Sequence, residues 1–253
     1  MKFIIIGKKQ LTVITAVTLC IVVGIIVSVG VFASSGKPLP IYCVERDDNK
    51  IAISFDAAWG NDDTEELISI LSEYNVPATF FVVGQWVDKY PESVKQLHDA
   101  GHRVENHSNT HPNMPHLSVA QMQQQIEECN KKISTITGRT PTLFRAPYGD
   151  YSADMLSTLS ALNMYTIQWD VDSLDWKDSA TPESIANRVI SKTKSGSIIL
   201  FHNDADHTPK ALPVILKALL DKGYEFVFIE DLIYKDNYQI IHDGTQCKLK
   251  DGQ

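Results

Sequence analysis

Short apolar runs alternate with longer amphipathic segments along most of the chain after residue 50. Runs of β-branched and aromatic residues predict strands at 51–55, 78–83, 102–106, 143–145, 165–171, 197–201 and 224–229. Apolar positions three and four apart predict helices at 64–74, 91–100, 118–137, 152–162, 182–193 and 209–222. Repeated strand-then-helix units with short connections give parallel strands joined by crossover helices. The pattern therefore predicts an α/β fold with about seven strands.

Two architectures fit such a repeat, an open doubly wound sheet and a closed barrel. The sequence has no GxGxxG after the first predicted strand, so it lacks the signature of a dinucleotide-binding sheet. Candidate catalytic side chains follow the ends of successive strands: Asp56, His107, Arg145, Asp172, Asp175 and His202. In a β/α barrel these strand ends converge on one face, where active sites form. We therefore expect a distorted (β/α) barrel.

Residues 11–33 contain no charged side chain and are dominated by Val, Ile, Leu and Ala. The run is long enough to cross a bilayer, which needs about 20 apolar residues. Lys2, Lys8 and Lys9 precede it, and such positive flanks tend to stay in the cytoplasm. We expect a single-pass transmembrane signal anchor in the cell membrane, with 1–10 in the cytoplasm and the folded domain outside. The alternative is a cleaved signal peptide ending near Ala33, but the apolar region of such peptides usually has only about 7–15 residues.

Composition changes on both sides of the predicted barrel. Residues 34–49 predict a linker, 50–234 the folded domain and 235–253 a polar tail.

The net charge of −8 disfavours nucleic acid as a partner, because such binding needs clustered Lys and Arg. The cysteines show no CxxC spacing, so a cysteine zinc site is not supported. Cys43 and Cys247 flank the domain and are either two free thiols or, in an oxidising compartment, a disulfide.

Histidines at 107 and 111 form the first candidate site. On a helical turn, residues four apart point the same way, with about 5–6 Å between their Cβ atoms. Two imidazoles so placed can bind one divalent cation. The alternative is a pair of surface or capping histidines.

Two carboxylates have candidate basic partners. Asp56 follows a buried strand, where a carboxylate is costly unless it is paired or bound to a metal, and Arg145 can keep it ionised. His202 ends an apolar strand and can titrate near neutral pH, with Asp175 available to hold its ring. The alternatives are a capping role for Asp56 and a satisfied core histidine at 202.

Five segments together resemble the polysaccharide deacetylase family, also called the NodB-homology domain or carbohydrate esterase family 4. The segments are S-F-D-A-A at 54–58, H-S-N-T-H at 107–111, R-A-P-Y at 145–148, D-S-L-D-W at 172–176 and L-F-H at 200–202. They are similar, in the same order, to the family patterns T-F-D-D-G, H-[ST]-x-x-H, R-x-P-[YF], D-x-x-D-W and L-x-H. The chain resembles in particular the sporulation-type deacetylases of Bacillus and Clostridium.

The resemblance implies metal-assisted removal of N-acetyl groups from amino sugars of a cell-wall glycan, peptidoglycan or another N-acetylglucosamine polymer. By that likeness, Asp56 is the general base that takes a proton from water, and Arg145 orients it. His107 and His111 hold the divalent metal, which is expected to be zinc, with cobalt or manganese as alternatives.

The same likeness implies roles for the remaining motif residues. His202 protonates the leaving amine and is tuned by Asp175. The backbone N–H of Tyr148 stabilises the oxyanion. Trp176 and Leu200 line the pocket for the acetyl methyl group.

One residue departs from the family pattern. Ala57 stands where the family has a second aspartate, its third metal ligand, and alanine cannot bind a metal. The cation would then rest on two histidines and water, or take Asp62 or Asp63 from the following loop. A catalytically impaired glycan-binding pseudoenzyme is therefore the main alternative to an active deacetylase. A different barrel amidase acting on a small amide is a third hypothesis.

Overall fold

Lys50–Ala57 is the longest strand of a parallel sheet in the computed structural model, which describes residues 38–249. The strands are β1 (Cys43–Val44), β2 (Lys50–Ala57), β3 (Ala78–Val82), β4 (Arg103–Asn106), β5 (Leu143–Phe144), β6 (Tyr165–Thr166), β7 (Val171–Asp172), β8 (Ile198–His202), β9 (Glu225–Phe226), β10 (Tyr238–Ile240) and β11 (Thr245–Lys248). The α-helices are α1 (Thr64–Glu73), α2 (Gly84–Lys89), α3 (Pro91–Asp99), α4 (Val119–Thr137), α5 (Ala153–Ala161), α6 (Pro182–Lys192), α7 (Thr208–Asp221) and α8 (Ile229–Leu232). The parallel sheet has the strand order β6-β5-β4-β3-β2-β8-β7, and β9 pairs with the start of β2.

The order of the strands requires this sheet to curl. β6 and β7 lie at opposite edges, yet only residues 167–170 connect them. A connection of this length spans at most about 18 Å, whereas seven flat strands would be about 29 Å across. The two edges must therefore approach each other, which gives an incompletely closed barrel. The prediction of an α/β fold with about seven parallel strands is confirmed.

Local sequence signals set the helix boundaries. α4 begins at a capping box, in which the side chains of Ser118 and Gln121 each accept a hydrogen bond from the other residue's backbone N–H. It ends at Gly138, whose left-handed backbone (φ 69°) suits glycine because it has no Cβ. The helices then bury their apolar faces against the sheet and form the main core.

The prediction of a single strand at 165–171 is wrong. β6 ends at Thr166 and β7 begins at Val171. Between them, the backbone N–H of Gln168 donates to the carbonyl of Ile41, and that of Asp170 donates to the carbonyl of Ile198. The chain therefore leaves one edge of the sheet and joins the other. Apolar residues alternate with polar ones through the whole segment, at Ile167, Trp169 and Val171, so the hydrophobic pattern does not mark this change of partner strand.

The folded domain extends beyond the boundaries predicted for it. Within 34–49, β1 pairs in parallel with β11, and Val44 is buried. Within 235–253, β10 and β11 pair antiparallel, and Gln246 is fully buried. The side chain of Gln246 exchanges hydrogen bonds with the backbone of Tyr234 at 2.7 and 2.8 Å. Backbone pairing thus orders the described parts of the predicted linker and tail, which carry no strong apolar pattern.

Cys43 and Cys247 are buried free thiols in this fold. The parallel register places Cys43 opposite Thr245 and not opposite Cys247. The Cys43 Sγ lies 3.4 Å from the Thr245 Oγ1. Of the two alternatives left open by the sequence, the structure has the free thiols.

The predicted membrane anchor at 11–33 and the predicted cytoplasmic segment 1–10 lie outside the described residues. Between residues 38 and 249, no helix combines the length and apolarity needed to cross a bilayer. The anchor therefore stays a prediction.

Candidate active site

A cavity of about 460 Å³ opens at the carboxyl ends of the parallel strands. Two predicted site residues, Arg145 and Asp175, lie directly behind it, where they contact Asp56 and His202. The other predicted site residues line it: Asp56, His107, His111, Tyr148, Trp176, Leu200 and His202. The sequence places these residues far apart, and the parallel strands bring their ends together at one face.

Asp56 is the penultimate residue of β2 and is only 7% exposed. Arg145 Nη1 donates to Asp56 Oδ1 at 2.7 Å, and His107 Nε2 lies 3.6 Å from Asp56 Oδ2. Burial acts to raise the pKa of Asp56, but the positive charge and hydrogen bond of Arg145, with the charge of His202, outweigh it, so this pKa lies below its usual value. The cavity therefore contains an ionised carboxylate that can accept a proton.

The Arg145 side chain is fully buried behind Asp56. Its Nη2 donates to Ser54 Oγ at 2.9 Å. Its guanidinium carbon lies 4.1 Å from the ring centroid of Phe81 and 5.6 Å from that of Trp169, within the range of cation–π attraction. These contacts fix the direction of the guanidinium, and with it the orientation of the Asp56 carboxylate.

The histidines of the HxxxH segment lie in a loop after β4 and not on a helical turn, so the predicted local geometry is wrong. Ser108 and His111 have left-handed backbones, with φ 69° and 58°. Asn106 Oδ1 accepts a hydrogen bond from Ser108 N–H, and Ser108 Oγ accepts one from His111 N–H. This polar turn still brings the rings of His107 and His111 together, with centroids 5.0 Å apart.

The ring nitrogens of both histidines suit a divalent cation. A carbonyl oxygen only accepts, so His107 Nδ1, 2.8 Å from Arg145 O, carries the proton and leaves Nε2 unprotonated. That Nε2 lies 3.6 Å from Asp56 Oδ2, so two lone pairs face each other beside the cavity. His111 Nδ1 is buried and has no hydrogen-bond partner among residues 38–249. Burial lowers the pKa of both rings, to about 4 for His111, so both are in the neutral form that binds metals.

No third protein ligand accompanies these histidines within the described part of the chain. Ala57 is buried in β2. The Asp63 carboxylate accepts the backbone N–H of Asp204 at 2.9 Å, and neither Asp62 nor Asp63 lines the cavity, so these two do not replace the missing ligand. Across 38–249, no three His, Cys, Asp or Glu side chains are grouped to hold a metal ion. The residues fit a cation held by two imidazoles, with its other positions left to water.

His202, the last residue of β8, is held by Asp175. His202 Nδ1 lies 2.8 Å from Asp175 Oδ1, and the backbone N–H of His202 donates to Oδ2 at 2.9 Å. The buried hydroxyl of Thr208 donates to the same Oδ2 at 2.7 Å. Three hydrogen bonds therefore fix the Asp175 carboxylate, which in turn orients the imidazole.

The same contacts change the pKa of His202. Burial acts to lower it, but the hydrogen bond and charge of Asp175, together with the charge of Asp56, outweigh the burial. The pKa of His202 is therefore raised, which favours the protonated ring near neutral pH. A protonated imidazole at the edge of a cavity can act as a general acid.

Tyr148, Trp176 and Leu200 form apolar parts of the cavity wall. Leu200 is buried, whereas the side chains of Tyr148 and Trp176 are 66% and 57% exposed. Tyr148 has a left-handed backbone (φ 61°) in the turn Pro147–Gly149, and its ring packs edge-on against His111 with centroids 4.6 Å apart. Strained conformations of this kind cluster at functional sites. The cavity thus combines a few placed polar groups with apolar walls, as ligand sites do.

Sequence reasoning missed four residues that help to build the site. Ser54 and Thr208 are buried hydroxyls behind the two charged pairs, and Trp59 and Trp169 line the cavity. Trp59 directly follows the first motif, and that position could have singled it out. Thr208 is the first residue of α7, and nothing in its local pattern indicates a contact with Asp175.

Comparisons with known proteins point to the family that the sequence motifs resemble. The family model for polysaccharide deacetylase matches residues 44–167. The uncharacterized protein YlxY of Bacillus subtilis is 32% identical over 203 residues, which cover 80% of this chain and 63% of YlxY. A peptidoglycan-N-acetylglucosamine deacetylase of Bacillus cereus is 30% identical over 187 residues, which cover 72% of this chain and 68% of that protein. The chain thus spans less than two thirds of YlxY and just over two thirds of the deacetylase.

A solved structure has a similar fold. The structure of BA3943, described as a CE4 family pseudoenzyme from Bacillus anthracis, matches with a TM-score of 0.74 and 29% identity, over 84% of this chain and 73% of that one. A mutant of BA3943 is described as having restored enzymatic activity. Given the family-model match and the similarity to the Bacillus cereus deacetylase, this chain belongs to the polysaccharide deacetylase family.

Proposed function

We propose that this chain hydrolyses N-acetyl groups on the amino sugars of a cell-wall glycan, peptidoglycan or another N-acetylglucosamine polymer. The observation that carries the proposal is the presence of Asp56 and His202 in one cavity, each held by its own buried partner. Amide hydrolysis needs one group that takes a proton from water and another that gives a proton to the leaving amine. Several relatives of this chain are named peptidoglycan deacetylases, which supports the substrate class.

Asp56 takes a proton from the attacking water as the water oxygen bonds to the acetyl carbonyl carbon. Arg145 engages Oδ1 at 2.7 Å, so Oδ2 is the oxygen that serves the water. The guanidinium is held in place before substrate binds, and the carboxylate therefore needs little reorientation in the transition state.

His202 gives a proton to the amide nitrogen as the carbon–nitrogen bond breaks, which releases acetate and a free amine. Asp175 contacts Nδ1, so Nε2 is the ring nitrogen that donates. Thr208 acts through Asp175 as a positioning residue.

We assign His107 and His111 to a divalent cation, zinc or alternatively cobalt or manganese. When bound, such a cation polarises the carbonyl and stabilises charge on its oxygen by several kcal/mol. The backbone N–H of Tyr148 is assigned to the same oxygen. Trp176 and Leu200 are assigned to the methyl group of the acetyl moiety.

We also propose that the domain works outside the cell, anchored in the cell membrane through 11–33. This segment has no charged residue and follows three lysines. A cell-wall substrate lies outside the membrane, which is the side on which this topology would place the domain.

Ala57 favours a second candidate function, a glycan-binding pseudoenzyme that retains the cavity but is catalytically impaired. Loss of one charged ligand weakens metal binding. The retention of Asp56, Arg145, Asp175 and His202 in their paired geometry favours the active enzyme. A pseudoenzyme needs neither Asp56 as a general base nor His202 as a general acid.

The proposal is tested by measuring acetate release from N-acetylglucosamine oligomers and from peptidoglycan, with the full chain and with added zinc, cobalt or manganese. We expect acetate release with at least one of these cations. The rate with an oligomeric substrate should be at least as high as the rate with the monomer. No acetate with any of the cations would favour the pseudoenzyme. Turnover of a small amide alone would favour a different amidase.

The pH profile of this reaction tests the role of His202. The group must be protonated to act, so the rate is expected to fall as pH rises through its pKa. Asp175→Asn removes the contact that raises this pKa, so the basic limb of kcat/KM should move to lower pH. Asp154→Asn, at an exposed position on α5, is the control that should leave the profile unchanged. An unmoved basic limb in Asp175→Asn would contradict the assignment.

A further inference from the structure

Trp59 is a large apolar side chain that the proposed reaction does not use. It follows β2 by two residues and is 62% exposed. Among residues 38–249, the other exposed large apolar side chains are Val119, Tyr148, Trp176, Val214 and Leu220. Only Trp59, Tyr148 and Trp176 line the catalytic cavity. Exposed apolar surface concentrated beside a cavity indicates a ligand-binding surface.

The loop that carries Trp59 is tied down on both sides. Ala58 N–H donates to Asn203 Oδ1 at 3.3 Å, and Gly60 N–H donates to Asp204 Oδ2 at 3.2 Å. The indole N–H of Trp86 donates to Gly60 O at 2.8 Å. A Cβ added at Gly60 would meet the Asp204 carboxylate, which would have to move to make room for it. Trp59 is therefore exposed on a loop whose backbone is held on both sides.

A second cavity of about 260 Å³ adjoins the catalytic one on this side. Trp59, Trp176 and His202 line both cavities, so the two indoles lie at the boundary between them. The second cavity is otherwise lined mainly by polar side chains, which include Asn203 and His207. Such a lining offers hydrogen bonds to hydroxyl groups, next to flat apolar rings.

We propose that Trp59 stacks on a sugar ring next to the one being deacetylated, and that this neighbouring sugar occupies the second cavity. The inference rests on the proposed function and adds to it a binding position for the sugar next to the reacting one. A pyranose ring presents a flat face of C–H groups and a rim of hydroxyls, which matches an indole beside polar side chains. The ring centroid of Trp59 lies 5.5 Å from that of His111, so the stacked sugar would lie next to the reacting acetamide.

The test measures binding of glucosamine oligomers, which carry no acetyl group and cannot be turned over. Calorimetric titration of the full chain with the hexamer and the dimer is compared for wild type, Trp59→Ala, Trp59→Phe and Val119→Ala. We expect Trp59→Ala to raise the Kd for the hexamer about tenfold, and Trp59→Phe, which keeps a flat ring, to raise it less. Val119→Ala is the matched control, because Val119 is also exposed (51%) but lines neither cavity.

An unchanged hexamer Kd in Trp59→Ala, or an equal change in Val119→Ala, would overturn the inference. Thermal melting checks that Trp59→Ala is folded, which its exposure predicts. Because this binding needs no hydrolysis, its outcome is independent of acetate release. If oligomer binding depends on Trp59 but the chain releases no acetate, the proposed activity is contradicted. The inference that Trp59 stacks on a sugar ring would still stand.

Discussion

Asp56→Asn is expected to lower kcat for acetate release by about 10²–10⁴-fold, the usual effect of removing a general base. An asparagine side chain has nearly the same shape as aspartate but cannot take the proton of the attacking water. Oligomer binding should change much less, because Asp56 acts on the water and not on the sugar. Steady-state kinetics and calorimetric binding of the same variant separate the two effects.

The matched control for this variant is Asp63→Asn. Asp63 is also an aspartate soon after β2, but its carboxylate accepts the Asp204 N–H and does not line the cavity. Its kcat should stay near the wild-type value. Thermal melting of both variants tests for loss of folding, which matters because Asp56→Asn leaves the charge of Arg145 without its carboxylate. A folded Asp56→Asn with wild-type kcat would remove Asp56 from the mechanism.

Arg145→Met is expected to lower the free energy of unfolding by about 3–5 kcal/mol, as does removal of one partner from a buried ion pair. Methionine keeps most of the length of the side chain but leaves the Asp56 carboxylate buried without its guanidinium. It also removes the donor to Ser54 and the contact with the Phe81 ring. Denaturant unfolding of wild type and variant measures the difference.

Lys217→Met provides the control for this stability effect. Lys217 pairs with Asp221 on α7, and the two side chains are 68% and 64% exposed. Exposed pairs contribute only about 0–1 kcal/mol, so this variant should unfold near the wild-type midpoint. The double variant Arg145→Met with Asp56→Leu should recover part of the lost stability, because no buried charge then lacks a partner. Equal, small effects of both single Met variants would contradict the buried-pair account.

The sequence predicted the strand–helix repeat and the common location of the motif residues because both follow from short-range patterns. A strand buried on both faces is apolar throughout, and the polar residue after it marks the strand end. Asp56 and His202 stand at such ends, on paired strands β2 and β8, with Asp56 directly opposite His202 in the register. Parallel register alone brings these two residues together.

What the sequence did not reveal depends on contacts between distant segments. Cys43 of β1 and its partner Thr245 of β11 are 202 residues apart along the chain, and neither strand carries a strong apolar pattern. Thr208 contacts Asp175 only because α7 starts beside β8. The HxxxH spacing suggested a helical turn, but the side chains of Asn106 and Ser108 bond to the backbone and favour a turn instead.

The absence of a carboxylate at position 57 makes metal dependence the central question for this site. Two neutral imidazoles can bind a cation, but less tightly than a site with three protein ligands. An active enzyme of this kind should lose its metal readily to a chelator and regain activity when the metal is returned.

The most direct measurement is acetate release from an N-acetylglucosamine hexamer by the full chain, before chelation, after chelation and after zinc is restored. We predict acetate release in the first state, its loss in the second and its recovery in the third, with no recovery in His107→Ala. Absence of acetate in every state, or release that chelation does not change, would contradict a metal-dependent deacetylase.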